Sequence, residues 1–146
     1  MVEHIVKLSD CVAYVESSFN PLAMRFEPAW QPSQEAVDAI TRHAVNGYMD
    51  GPTGRVIAAT SWGKYQIMGQ NLYTTCGYGG TINSYLNDEN GVQYETFKKF
   101  LASIGFEDGP FNPSNAPFNR RFAIAYNGSP VYSQSLVNAF YALANQ

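Results

Sequence analysis

Val15-Glu16-Ser17-Ser18-Phe19-Asn20-Pro21-Leu22-Ala23-Met24-Arg25-Phe26-Glu27-Pro28 carries the densest chemistry of this 146-residue chain. Upstream of it, Ile5, Leu8, Val12, Val15 and Phe19 recur at spacings of three and four. That periodicity predicts a helix over residues 2–17 with these side chains on its buried face. Asn20-Pro21 ends the helix, which leaves Glu16 in its last turn. The negative end of the helix dipole disfavours a second negative charge there, and an apolar core edge does the same, so both raise a carboxyl's pKa. Over residues 22–31, Leu22, Met24 and Phe26 alternate with Ala23, Arg25 and Glu27, the pattern of an extended arm. Glu27 supplies a second carboxylate between an aromatic residue and a proline. A lone glutamate at a helix end is usually a solvated side chain, so the role of Glu16 is decided by the rest of the chain.

Downstream, Ser33 has the chemistry of an N-cap, with Glu35 in the first turn. Ala36, Val37, Ile40, Ala44 and Val45 give that helix its buried face, and Gly47 ends it. Asp50-Gly51-Pro52-Thr53-Gly54 reads as a turn cluster, and Val56-Ile57-Ala58-Ala59 as strand or core loop. Thr60 to Asn71 reads as a turn leading into a helix over residues 64–76. Thr81 caps a short helix to Asn87, and a longer one covers 89–104 with Phe97, Phe100 and Leu101 buried. Residues 105–117 form the longest loop. Two last helices are expected, one starting at Phe118 and closed by Asn127-Gly128-Ser129-Pro130, the other over 132–144. The fold class is mainly α: one compact domain, residues 1–146, of about six helices with at most a small β-hairpin.

Composition narrows the function. The net charge is −3, with no Lys/Arg cluster to neutralise phosphates, which excludes a nucleic-acid partner. Cys11 and Cys76 form no CxxC or His/Cys cluster, so no metal or other cofactor is implied. Cys11 lies on the apolar side of the first helix and reads as a buried free thiol rather than half of a disulfide. No stretch approaches the ~18 apolar residues of a membrane span, and the N-terminus lacks the pattern of an export signal. The expectation is a soluble protein made in the cytoplasm.

Three separated stretches then line up. Glu16-Ser17-Ser18-Phe19-Asn20-Pro21-Leu22-Ala23 resembles the signature E-S-x-F-N-P-x-A around the catalytic glutamate of soluble lytic transglycosylases and goose-type lysozymes. Ser61-Trp62-Gly63-Lys64-Tyr65-Gln66-Ile67-Met68 is similar to their second signature, and Ala125-Tyr126-Asn127-Gly128-Ser129-Pro130 to their third. The last helix, with Tyr132 and Tyr141, takes the place of a fourth, tyrosine-bearing segment. A narrower resemblance is to the N-acetylmuramidase domains of phage and bacterial endolysins, carried by Arg25-Phe26-Glu27-Pro28, by Gly63 to Asn71, and by Thr81 to Leu86 running into Phe97 to Phe100. The resemblance covers about residues 10–142. Two departures stand out: Ser129 replaces the glycine that usually precedes the proline of the third motif, and bulky Trp62 and Tyr65 occupy small or aliphatic positions of the second.

The resemblance implies a lysozyme-like domain that cleaves the β-1,4 glycosidic bond of bacterial peptidoglycan, with Glu16 as general acid. It implies that Ser61, Gln66, Tyr126 and Asn127 bind substrate: Gln66 as an amide at a helix start, Ser61 as a helix cap that also touches sugar, and Tyr126 as a hydroxyl in the cleft floor that can contact the acid. Glu27 has two readings, a carboxylate that stabilises charge or activates water, and a structural one paired with Arg25, Arg120 or Arg121. Asp50 is a weaker second candidate. Ile67 and Met68 read as core and cleft wall, and His4 and His43 as surface or packing residues. Two further outcomes fit the same motifs: a lytic transglycosylase, which needs no second carboxylate, and a non-catalytic wall-binding or virion-structural module. The expected setting is a phage lysin, reaching the wall through holin pores or as part of a virion, with other lysis or virion proteins as partners.

Overall fold

The computed structural model describes residues 5–43 and 51–146. The first helix, α1 (Leu8–Ser17), starts later than the periodicity predicts. The Lys7 N–H donates to the Asp10 carboxylate at 2.9 Å, and Asp108 arrives from a distant loop to take the Ser9 N–H at 2.9 Å and the Ser9 hydroxyl at 2.7 Å. Two carboxylates at its positive end set where α1 begins. Ile5 falls outside the helix and is exposed, while Leu8 and Val12 are buried as expected. At the other end Ser18 (φ 52°) and Phe19 (φ 64°) are both left-handed, and their N–H groups return to Tyr14 and Ala13 carbonyls. That reversal throws Phe19 out to solvent and leaves Glu16 one residue from the helix end.

The extended arm is a strand, β1 (Met24–Phe26). Ser33 caps α2 (Gln34–His43) by accepting the Ala36 N–H at 3.1 Å, as its chemistry requires. His43 is exposed. The calls on His4, Ala44, Val45, Gly47 and Asp50 lie outside the described residues. The expected turn cluster and apolar run are corrected: residues 51–58 form one helix, α3 (Gly51–Ala58). Pro52 stands in its first turn, where its missing N–H costs nothing, and Gly54 lets the backbone approach Val37 and Thr41 of α2.

The helix expected over 64–76 is also corrected. Thr60–Trp62 is a strand, β2, and Ile67–Met68 another, β3, joined by the turn Gly63 to Gln66. Gly63 (φ 77°) and Gln66 (φ 53°) are left-handed, a conformation no helix admits. A short helix, α4 (Gly69–Tyr73), follows. Its Gly69 is obligatory, because a Cβ there would stand 2.0 Å from the Ile57 carbonyl oxygen. The three strands form one antiparallel sheet, order β1-β2-β3, pairing Arg25 with Ser61 and Ser61 with Met68.

The remaining chain is helical: α5 (Ile82–Leu86), capped by Thr81, a 3-10 turn at Glu89–Gly91, α6 (Val92–Ser103), α7 (Ala116–Asn127) and α8 (Tyr132–Ala144). Asn115 caps α7, which admits Pro117 in its first turn and so begins before Phe118. The mainly α class holds, with eight α-helices among the described residues and a small sheet in place of a bare hairpin. Cys11, Val12, Leu72, Phe97, Phe122 and Leu136 are fully buried in the shared core, with α8 packed on α1 and α7. Both cysteines are buried and free.

Candidate active site

Glu16 is placed by its neighbours in sequence. The Ser17 hydroxyl donates to the Lys64 carbonyl at 2.8 Å, which ties the end of α1 to the β2–β3 turn. The same oxygen accepts the Asn20 N–H at 3.1 Å, and Asn20 Oδ1 accepts the Leu22 N–H at 3.0 Å, a local turn that swings the chain into β1. Gln93, fully buried on α6, completes the frame. Its Oε1 accepts the Lys64 N–H at 2.8 Å, and its Nε2 donates to the Pro21 and Tyr85 carbonyls, each at 2.9 Å. A Cβ on Gly63 would meet Gln93 Oε1 at 2.6 Å, so this glycine serves both the turn and the latch.

These constraints open a cleft of about 190 Å³ lined by Glu16, Arg25, Glu27, Ser61, Gln66, Tyr126 and Asn127. Glu16, Glu27, Ser61, Gln66, Tyr126 and Asn127, all expected at the site, line it together, drawn from α1, the chain after β1, β2, the β2–β3 turn and the end of α7. Their local settings differ from expectation. Ser61 caps no helix; it is buried in the central strand, and its hydroxyl donates to Met68 Sδ at 3.1 Å. Gln66 belongs to the turn rather than a helix start, and its Nε2 donates to the Gly63 carbonyl at 3.0 Å, leaving Oε1 for the cleft. Asn127 is exposed, and Gly128 (φ 88°), not Asn127, is the C-cap of α7.

The contact to Glu16 is made by a different tyrosine. Tyr126 donates to the Tyr65 carbonyl, whereas Tyr132, at the first position of α8, donates to Glu16 Oε1 at 3.1 Å. The two rings stack with centroids 6.1 Å apart, so Tyr126 supports Tyr132 from below. Burial pushes both phenols well above their ordinary range, which keeps both hydroxyls protonated as donors. The sequence signal for Tyr132 was its place at the head of the tyrosine-bearing helix; only the packing of α8 on α1 aims it at Glu16.

Electrostatically, Glu16 is half-buried and its carboxyl is raised above the usual carboxylate value, chiefly by desolvation. The Tyr132 hydrogen bond and the positive charge of Arg25 oppose that rise without cancelling it. Arg25 Nε pairs with Glu27 Oε1 at 3.1 Å, while Arg120 and Arg121 are exposed elsewhere on α7. Arg25 was foreseen as a partner for Glu27 and is in addition a wall of the cleft. Among the described residues no group of three or more His, Cys, Asp or Glu is placed to hold a metal ion, and no helix is long and apolar enough to cross a membrane.

The family model for N-acetylmuramidase matches residues 52–142. The chain is also similar to the endolysin of Enterobacteria phage PRD1, 32% identical over 142 residues, which cover 90% of this chain and 93% of that one. The chain belongs to the N-acetylmuramidase family. As a muramidase it acts on peptidoglycan. No solved structure matches this muramidase. The matched residues hold Ser61, Gln66, Tyr126, Asn127 and Tyr132, and begin after both carboxylates.

Proposed function

We propose that this muramidase cleaves the β-1,4 bond between N-acetylmuramic acid and N-acetylglucosamine, with Glu16 delivering the proton to the leaving oxygen. One observation carries the reading: a half-buried carboxyl with a raised pKa opens into a polar cleft at the end of α1. Glycoside cleavage passes through an oxocarbenium-like state and needs an acid still protonated near neutral pH. Tyr132 holds the Glu16 carboxyl in one orientation. Gln66, Ser61 and Asn127 offer amide and hydroxyl groups for N-acetyl and ring hydroxyl groups of the sugar. The likeness to the PRD1 endolysin supports a phage lysis setting, with release to the wall by a holin or delivery in a virion.

Glu27 serves, in this reading, as the second carboxylate of a hydrolase, stabilising charge or directing water from the β1 side of the cleft. One observation favours the transglycosylase alternative: Glu27 Oε1 is already taken by Arg25. If Glu27 is structural, the sugar's own 6-hydroxyl closes a 1,6-anhydro ring. Product mass spectrometry separates the two. A reducing muramic end, lost in Glu27→Gln, supports the hydrolase. Products lighter by one water, unchanged in Glu27→Gln, support the transglycosylase. Tight wall binding with no released muropeptides from the wild type would sink both and leave a binding module.

A further inference from the structure

The strand β1, which carries Arg25 and leads into Glu27, has a second face. Arg25 pairs with Ser61 on the cleft side, and strand alternation puts Met24 and Phe26 on the other. There a groove of about 180 Å³ is lined by Phe26, Trp30, Gln31, Pro32, Arg55 and Val56. It is open: Phe26 is 52%, Val56 51% and Trp30 40% exposed. β1 is an edge strand. The bonds from the Gly63 N–H to the Ala23 carbonyl (2.8 Å) and from the Glu27 N–H to the Ala59 carbonyl (2.9 Å) fix which backbone groups face β2. By the alternation of an antiparallel ladder, the N–H and C=O groups of Met24 and Phe26 face the open edge.

The groove's charge is opposite to that of the molecule. The chain carries −3 overall, yet among the described residues the one charged side chain lining the groove is Arg55. We propose that this groove binds the acidic stem peptide of peptidoglycan, so that β1 holds glycan on one face and peptide on the other. The proposal rests on the glycan-cleaving reading of the cleft. Continuity supports it, because the stem leaves the glycan at the lactyl group of muramic acid and the two sites share a single strand as wall. An extended tetrapeptide spans roughly 13 Å, enough to pass around one strand edge. Its alanine methyls meet Phe26, Trp30 and Val56, a carboxylate meets Arg55, and its amides meet the outward backbone groups of Met24 and Phe26.

The test compares peptide-bearing glycan strands with the same strands stripped of peptide by an amidase. Wild type is expected to cut the peptide-bearing strands with a kcat/KM about tenfold higher, the scale of one charge-assisted pair. Arg55→Glu and Val56→Glu, both at exposed positions, are expected to abolish that preference while keeping the wild-type rate on stripped strands, and Arg55→Lys to retain most of it. In parallel, free L-Ala–γ-D-Glu–diaminopimelate–D-Ala is expected to shift Trp30 emission saturably, a shift absent in Trp30→Phe and weakened in Arg55→Glu. Equal wild-type rates on both substrates, or a preference untouched by both glutamate variants, overturns the proposal. Should neither substrate be cut, the glycosidase reading fails and the peptide titration alone decides: a saturable shift lost in Arg55→Glu upholds the groove, and no shift refutes it.

Discussion

Glu16 is destabilising in the form that fills it with charge, and this links its chemistry to stability. Burial lifts its folded pKa above the unfolded value, so the native state holds the proton more tightly. Stability is then fully present below the unfolded pKa and declines as pH rises through the folded one. Glu16→Gln removes that term. The variant is expected to lose on the order of 10²–10⁴ in kcat/KM on cell-wall glycan. It should also gain Tm relative to wild type, with a larger gain at pH 8 than at pH 4 in paired thermal scans. Equal activity would sink the assignment of the acid. Tyr132→Phe tests the hydroxyl that opposes the rise. Because that hydrogen bond favours the ionised carboxylate, its loss moves the alkaline limb of the kcat/KM profile, which reports a protonated acid, to higher pH. A limb that stays in place or moves down contradicts the contact's role. Tyr132 was legible as a tyrosine of the last helix but not as the partner of Glu16, since that contact spans most of the chain.

At the scale of the element, the β2–β3 turn is the piece that local pattern misreads. Tyr65, Gly69, Leu72 and Cys76 are buried at spacings of four, three and four, which also suit a helix. The chain turns because Gly63 takes φ 77° against Gln93, and because β2 pairs on both sides. Gln93 is therefore a keystone for the cleft without touching it. Gln93→Leu leaves the Lys64 N–H and the Pro21 and Tyr85 carbonyls without their partner and is expected to cost roughly 2–5 kcal/mol in urea unfolding. A loss below 1 kcal/mol would show that water replaces the amide. The helix α3 was misread for a related reason. Gly51-Pro52-Thr53-Gly54 has turn composition, but Pro52 is harmless in a first turn and Gly54 packs on α2.

Across the whole molecule, the two thiols report on the integrity of the core. Cys11 and Cys76 are buried and unpaired, and burial pushes their thiols up to about 12 and about 11. Neither is expected to react with an aromatic disulfide reagent in the native state, both should react at equal rates once unfolded, and reductant should leave Tm unchanged. Fast labelling of either one without denaturant would contradict the packing of α1 against α8 or of Cys76 on α6.

From the sequence alone came the mainly α class, the caps at Ser33 and Thr81, the boundaries of the last helix and the set of side chains that share the cleft. The first three follow from short-range physics, periodicity and capping chemistry, and the cleft residues from the resemblance of their motifs to those of known muramidases. Tertiary structure decided the rest. It chose a turn over a helix at Gly63 to Gln66, gave the Glu16 contact to Tyr132 rather than Tyr126, and selected Arg25 from three arginines as the partner of Glu27. Each of those outcomes depends on which surfaces meet in space, through the pairing of β1 with β2 or the packing of α8 on α1, and contacts between residues far apart in sequence leave no periodic trace in the chain.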